Sequence, residues 1–201
     1  RKEKFGGFKI EDGEYQLNQI WLADFNPYQL SNRLRPDQLK DTVYTKTLEA
    51  RIIMDSVPFS INGFKWSPDG KKIAFEHQPD PLINSFFKAD ISIYDMAAKT
   101  YKTLVNNASY DGLVDWSPEG DAILYQSNLN DSTSNYYLNS KLFRINIDGS
   151  QNKQLASDFD ENIYGLKWTQ NGIFGIAWQK TLRPVIILRL VQNALYESTI
   201  F

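Results

Sequence analysis

The pentapeptide Trp66-Ser67-Pro68-Asp69-Gly70 returns as Trp116-Ser117-Pro118-Glu119-Gly120 and, blurred, as Trp168-Thr169-Gln170-Asn171-Gly172. The three tryptophans stand 50 and 52 residues apart. A fixed period of that size marks a repeat architecture, in which each unit buries its apolar face only by stacking on its neighbours. Each copy follows one order. A short apolar run leads into the Trp, at 61–66, 113–116 and 163–168. A polar turn follows, in which Pro presets φ and Gly supplies the positive φ that closes it. A second apolar run comes next (KIAF, AILY, IFGI), and strand, turn, strand reads as a hairpin. A third run, at 90–95, 141–146 and 184–189, lies beyond a variable loop; the first two of these alternate apolar and polar as half-buried strands do. A short fourth run closes each unit at 101–105, 153–155 and 195–201.

Four antiparallel strands per unit, repeated, read as β-propeller blades, so the expected class is all-β. The blades are placed at 59–105, 112–156 and 163–201. Residues 18–25 match a third-strand pattern, and 47–54 a fourth, so 1–58 reads as half a blade. The count of about three and a half blades describes an incomplete propeller. Open sheet edges are costly, so the ring is expected to be completed by more of the same polypeptide, a second copy or a partner chain.

The totals exclude several classes. Net charge is −2, with no basic excess to neutralise phosphates, so nucleic acid is not an expected partner. No apolar run reaches the roughly 20 residues a membrane helix needs. The chain has no Cys, hence no disulfide, thiol nucleophile or thiolate metal site, and a single His. No cofactor or metal is expected, since one His with scattered carboxylates shows no ligand spacing. Arg1 does not resemble a native start, which leaves room for a removed targeting segment.

Few residues invite a functional reading. Glu76, His77 and Asp80 cluster at the end of a strand and suit a substrate amine; the plainer reading is a polar loop after that strand. Arg33, in the irregular stretch 26–58, suits a clamp on a substrate carboxylate or carbonyl, against a plainer reading as a solvated surface charge. The long loops 77–88 and 127–140, the second carrying Tyr136 and Tyr137, are where binding function concentrates on a rigid scaffold. Trp66, Trp116 and Trp168 recur at one structural position and are expected to pack between blades rather than to stack on ligands. Asp69, Glu119 and Asn171 are expected to accept backbone N–H bonds within their turns.

WSPDG followed by KKIAF resembles the repeats of the periplasmic Tol-system propeller, and also those of the amino-terminal propellers of the prolyl oligopeptidase family of serine peptidases, dipeptidyl and acylaminoacyl peptidases included. RKEKFG with QIWLAD, IAFEHQPDP at 73–81 and ADISIYD at 89–95 are similar to bacterial peptidase members, over about residues 1–178. That resemblance implies a C-terminal α/β-hydrolase domain with a Gly-x-Ser-x-Gly nucleophile elbow and a Ser–Asp–His triad. This chain has no Gly-x-Ser-x-Gly, and its one His precedes any place for a nucleophile, so it holds no catalytic triad. The resemblance implies a propeller that gates and positions a peptide substrate; the second implied reading is a non-catalytic propeller that binds a protein. It leans localisation toward the periplasm or secretion.

Overall fold

In a computed structural model the chain is described over residues 15–24, 49–128, 139–157, 159, 161–177, 185–191 and 194–200, the side chains of the last two segments excepted. A two-stranded pair, β1 (Trp21–Ala23) with β2 (Ala50–Ile52), precedes three four-stranded antiparallel sheets. The first is β3 (Ser60–Trp66), β4 (Lys72–Gln78), β5 (Asp90–Asp95) and β6 (Thr100–Val105). The second is β7 (Asp111–Trp116), β8 (Ala122–Ser127), β9 (Lys141–Asn146) and β10 (Lys153–Leu155). The third is β11 (Ile163–Thr169), β12 (Gly172–Ala177), β13 (Val185–Val191) and β14 (Ala194–Ile200). Within each sheet strand order follows chain order, as in propeller blades. Among the described residues no helix is long and apolar enough to cross a membrane.

The repeated turn builds each sheet's inner hairpin. Gly70 and Gly120 adopt φ of +69° and +74°, and each donates its N–H to the carbonyl of Ser67 or Ser117 at 2.9 Å. A side chain at either position would be strained, which is why the turn ends in glycine. In the first copy Asp69 Oδ1 accepts from Ser67 Oγ (2.7 Å) and from the Lys71 N–H (3.0 Å), as expected of it. In the second copy the carboxylate that accepts from Ser117 Oγ is Asp121, at 2.7 Å, not Glu119. In the third, Thr169 Oγ1 accepts the Asn171 N–H at 3.2 Å, so Asn171 is a donor there through its backbone.

Side chains alternate across each strand, so every sheet has two apolar faces that must be covered. Ala74, Ile91 and Val105 of the first sheet meet Trp116, Ile123, Tyr125 and Ile145 of the second. Leu124, Leu142 and Leu155 on the second sheet's other face meet Ile163, Ile173 and Ala177 of the third. Ile73, Phe75 and Tyr94 turn the other way, under Ile20, Met54, Val57 and Phe59 from the segments around β1 and β2. Each inner strand, β3, β7 and β11, carries one register shift, between Ile61 and Gly63, Leu113 and Asp115, and Tyr164 and Lys167.

The tryptophans do not share one environment. Trp116 is 4% exposed and donates Nε1–H to the Lys65 carbonyl of the first sheet at 3.0 Å. Trp168 is partly buried, but Trp66 is 41% exposed. The packing expected of all three holds in full only for Trp116; Trp168 is packed in part against the second sheet, and the segments around β1 and β2 leave Trp66 the most exposed of the three. The loop 77–88 also departs from expectation: Ile83–Lys88 forms a 3₁₀ helix in which Phe86 and Phe87 lie with ring centroids 3.8 Å apart.

Gly175 fixes how closely β11 and β12 approach. A Cβ there would overlap the Ile163 side chain and come within 3.1 Å of Leu166 Cδ2. Gly175→Ala is therefore expected to destabilise the protein by about 1–3 kcal/mol through overpacking, read as a lowered urea midpoint with an unchanged slope.

Candidate functional site

β4 and β7 bring the chemistry-bearing side chains together at one end of the seam between the first and second sheets. Glu76 and His77 are consecutive on β4 and so fall on opposite faces. Glu76 points into the seam, where its Oε2 accepts the Leu113 N–H of β7 at 3.2 Å. That acceptor meets a backbone donor beside the register shift in β7, where regular pairing is interrupted. His77 points to the opposite face. Its ring stacks on Phe59 with centroids 4.2 Å apart, and Nε2 lies 2.8 Å from Ser92 Oγ, which in turn lies 3.3 Å from Thr103 Oγ1. Asp80 is in the following loop, where Oδ1 accepts the Leu82 N–H at 2.9 Å. The expected cluster of Glu76, His77 and Asp80 is thus divided among a seam, a core face and a turn. Arg33, Tyr136 and Tyr137 lie outside the described residues.

The seam gathers other acids around Glu76. Asp111, the first residue of β7, is fully buried. Its N–H donates to the Ala89 carbonyl at 2.9 Å, its Oδ1 accepts from Asn107 Nδ2 at 2.9 Å, and its Oδ2 is buried without a hydrogen-bond partner. Burial pushes the Asp111 carboxyl up to about 6, against hydrogen bonds from Ser127 and Asn107, and the nearby Asp90 charge adds to the rise. Burial likewise raises Glu76 and Asp90. Tyr110 is raised to about 12 by burial and then by the charges of Glu76 and Asp111. Its ring lies where a side chain on Gly112 would be, so the absence of a Cβ there admits the phenol. Among the described residues no group of three His, Cys, Asp or Glu side chains is arranged to hold a metal ion.

The arrangement is suited to holding protons and ordering a seam. The His77–Ser92 contact has the separation of a nucleophile–base pair, but Ser92 is fully buried and His77 is 8% exposed, so neither reaches a substrate. Burial holds the imidazole at about 4, and it stays neutral at physiological pH. Asn107 donates from Nδ2 to Asp111 Oδ1 and accepts the Ser109 N–H at its Oδ1, each at 2.9 Å. Sequence reasoning missed Asp111, Asp90 and Tyr110. Superimposing the repeats carries a signal: Asp111 falls on Ile61, the two being paired with Ser127 and His77 at equivalent places, so an acid stands where the first repeat buries an isoleucine.

A second polar contact crosses the inner strands. Asp115, 5% exposed on β7, accepts the Trp168 N–H at 3.1 Å and faces Lys167 Nζ at 2.9 Å and Lys65 Nζ at 3.6 Å. The lysines are partly solvated, so the ion pairs contribute little; the bond to the backbone N–H is what Asp115 secures. Asp115→Ala is expected to cost about 1–2 kcal/mol, and 0.5 M salt should leave most of that difference in place in denaturant titrations.

No family model and no curated protein matches this chain. Solved structures do. Puromycin hydrolase is 15% identical with a TM-score of 0.55, over 74% of this chain and 23% of that one. The putative TolB from Agrobacterium tumefaciens is 19% identical with a TM-score of 0.51, over 76% of this chain and 52% of that one. The β-propeller domain of the Trilobed protease from Pyrococcus furiosus is 12% identical with a TM-score of 0.51, over 72% of this chain and 44% of that one. The chain spans about half, or less, of the length of these structures. At such identities the likeness speaks to the fold, and together with three antiparallel four-stranded sheets packed face to face it makes this chain a set of β-propeller blades.

Proposed function

We propose that these blades form the substrate-gating and positioning portion of a serine peptidase whose α/β-hydrolase domain lies outside this sequence. The observation that carries the reading is the run of peptidase-like stretches, RKEKFG to QIWLAD and IAFEHQPDP to ADISIYD, set on a propeller fold. Puromycin hydrolase and the Trilobed protease, two of the structures the chain resembles, are named as a hydrolase and a protease, which supports the same direction. In this reading the chain supplies no nucleophile. Its one histidine is enclosed against Phe59, and its buried carboxyls order the first seam, next to the loop 77–88 that would face a peptide. Asp80 and Arg33 are the side chains offered to that peptide, through its amine and its carboxylate or carbonyl.

The test is the intact mass of the protein expressed from the whole gene, followed by labelling with a fluorophosphonate serine-hydrolase probe. A mass well above 23.2 kDa with a labelled species is the expected result. An unlabelled product that captures a stoichiometric protein partner would replace the peptidase reading with that of a non-catalytic, protein-binding propeller.

A further inference from the structure

The sequence holds two Asn-Gly pairs, Asn62-Gly63 and Asn171-Gly172. In such a pair the glycine has no side chain to keep its backbone nitrogen away from the asparagine carboxamide, so the two can close a cyclic imide. The fold around each pair decides whether they do. Asn62 sits at the register shift of β3, and its Nδ2 donates to Gln78 Oε1 of β4. Gly63 pairs with Glu76, with Ile61 and Phe64 paired on either side of it, so its nitrogen is fixed within the ladder.

Asn171 stands at the opposite extreme. Trp66 and Ile73 pair across the first turn with residues 67–72 between them, Trp168 and Ile173 across the third with only 169–172. Thr169 and Gly172 form the last pair of this shorter hairpin and leave Gln170 and Asn171 as an exposed tip. Asn171 is tied there through its backbone N–H, to Thr169 Oγ1 at 3.2 Å; among the described residues its carboxamide has no partner. Gly172, at φ +133°, is enclosed while the hairpin is closed, but a terminal pair opens locally far more often than one inside a ladder. We propose that Asn171-Gly172 is a self-modification site, at which the folded protein converts its own asparagine to aspartate and isoaspartate with water as the co-reactant. The Gly172 nitrogen gives its proton to solvent and attacks Asn171 Cγ. The N–Cγ bond forms, the Cγ–Nδ2 bond breaks, and the amide leaves as ammonia with a proton from water. Water then opens the imide. Opening at Cγ restores the main chain and leaves aspartate; opening at the backbone carbonyl routes the chain through Cγ and leaves isoaspartate. The aspartate product places an acid where the first two copies hold Asp69 and Glu119. The isoaspartate adds a methylene to the main chain of the tip and so loosens the closure of β11 on β12. The inference does not depend on the peptidase reading.

The test uses the whole folded protein, held at mildly alkaline pH and sampled over days, with a parallel sample in urea. Trypsin releases residues 52–65 and 168–180, each with a single asparagine, and mass spectrometry reads the replacement of –NH2 by –OH against a zero-time digest. In the folded protein 168–180 should convert at least about tenfold faster than 52–65, since one site lies at the end of a ladder and the other inside it. In urea the two rates should approach each other. Converted 168–180 should split into two chromatographic peaks, one of which accepts a methyl group from an isoaspartyl methyltransferase. Asn171→Gln, a change at an exposed tip, should abolish the conversion of 168–180 and leave that of 52–65 as it was. The proposal is overturned if 168–180 stays unmodified in the folded protein, if 52–65 keeps pace with it there, or if the folded and unfolded samples show one ratio.

Discussion

Trp116→Ala is expected to lower the unfolding free energy by about 3–5 kcal/mol, the range for emptying a large buried aromatic site. The side chain sits between two sheets, against Ala74 and Ile91 on one side and Ile123 and Ile145 on the other. Neither sheet can close the gap without separating its own hydrogen-bonded ladder, so little of the cavity collapses. The Lys65 carbonyl also loses the indole donor it holds at 3.0 Å. Trp66→Ala serves as the internal comparison. Its side chain is 41% exposed, and the same substitution there should cost less than half as much. Urea denaturation followed by far-ultraviolet circular dichroism reads both. Equal losses at the two positions would mean that Trp116 is not enclosed as the first seam requires.

The second large effect is a pH dependence made of two opposing parts. The Asp111 carboxyl is raised from 3.8 to about 6 in the folded protein. As pH falls from about 6 toward 3.8 the folded state takes up this proton before the unfolded state does, so stability rises. The His77 imidazole is lowered from 6.5 to about 4. As pH falls from 6.5 toward 4 the unfolded state takes up that proton first, so stability falls. At about 1.4 kcal/mol per pKa unit, each contribution is on the order of 3 kcal/mol, and the two nearly cancel. Glu76 and Asp90 are raised as Asp111 is, and act in the same sense. Asp95, held near 2 by the Ala98 N–H and by Lys72, acts only below about pH 4. Wild-type stability should therefore hold or rise modestly as pH falls from 7 to 4.5, Glu76 and Asp90 adding to the Asp111 side of the balance. Asp111→Asn should gain stability at pH 7 and lose it steeply toward acid. His77→Gln, which keeps a partner for Ser92, should do the reverse and gain stability toward acid. Denaturant titrations at half-unit steps of pH would show the two slopes, and parallel curves for both variants would remove the seam and the imidazole as their origin.

The fold was legible because its grammar is local. Trp66-Ser67-Pro68-Asp69-Gly70 holds the turn residues, the φ requirement and the strand ends within a few positions, and three copies reinforce one another. The candidate site was not legible in the same way. Glu76 and His77 read as one cluster because they are adjacent in sequence, but strand alternation sends adjacent residues to opposite faces. The acids that do meet Glu76 come from another repeat, and only sheet stacking brings Asp111 and Tyr110 to it. The exposure of Trp66 was hidden for a related reason: a motif specifies what a residue can pack against, not whether a neighbour is there. Likewise the 3₁₀ helix Ile83–Lys88 is a collapse of Phe86 and Phe87 onto each other and toward Tyr110, a contact with the next repeat that the loop's own composition does not announce.

The register shift near the start of every inner strand acts as a phase changer. Because of it Ile61 and Trp66, and likewise Asp111 and Trp116, lie on one face of their strands although five positions separate the members of each pair. Removing the extra residue, Asn62 or Val114, would leave a hairpin able to pair but would turn one end of the strand over relative to the other. Single-residue deletions in these strands should therefore behave as all-or-none lesions, while changes of several residues in the loop between β8 and β9 are absorbed. A length scan of this chain would thus show three narrow intolerant windows about 50 residues apart, tracing the repeat in viability rather than in sequence.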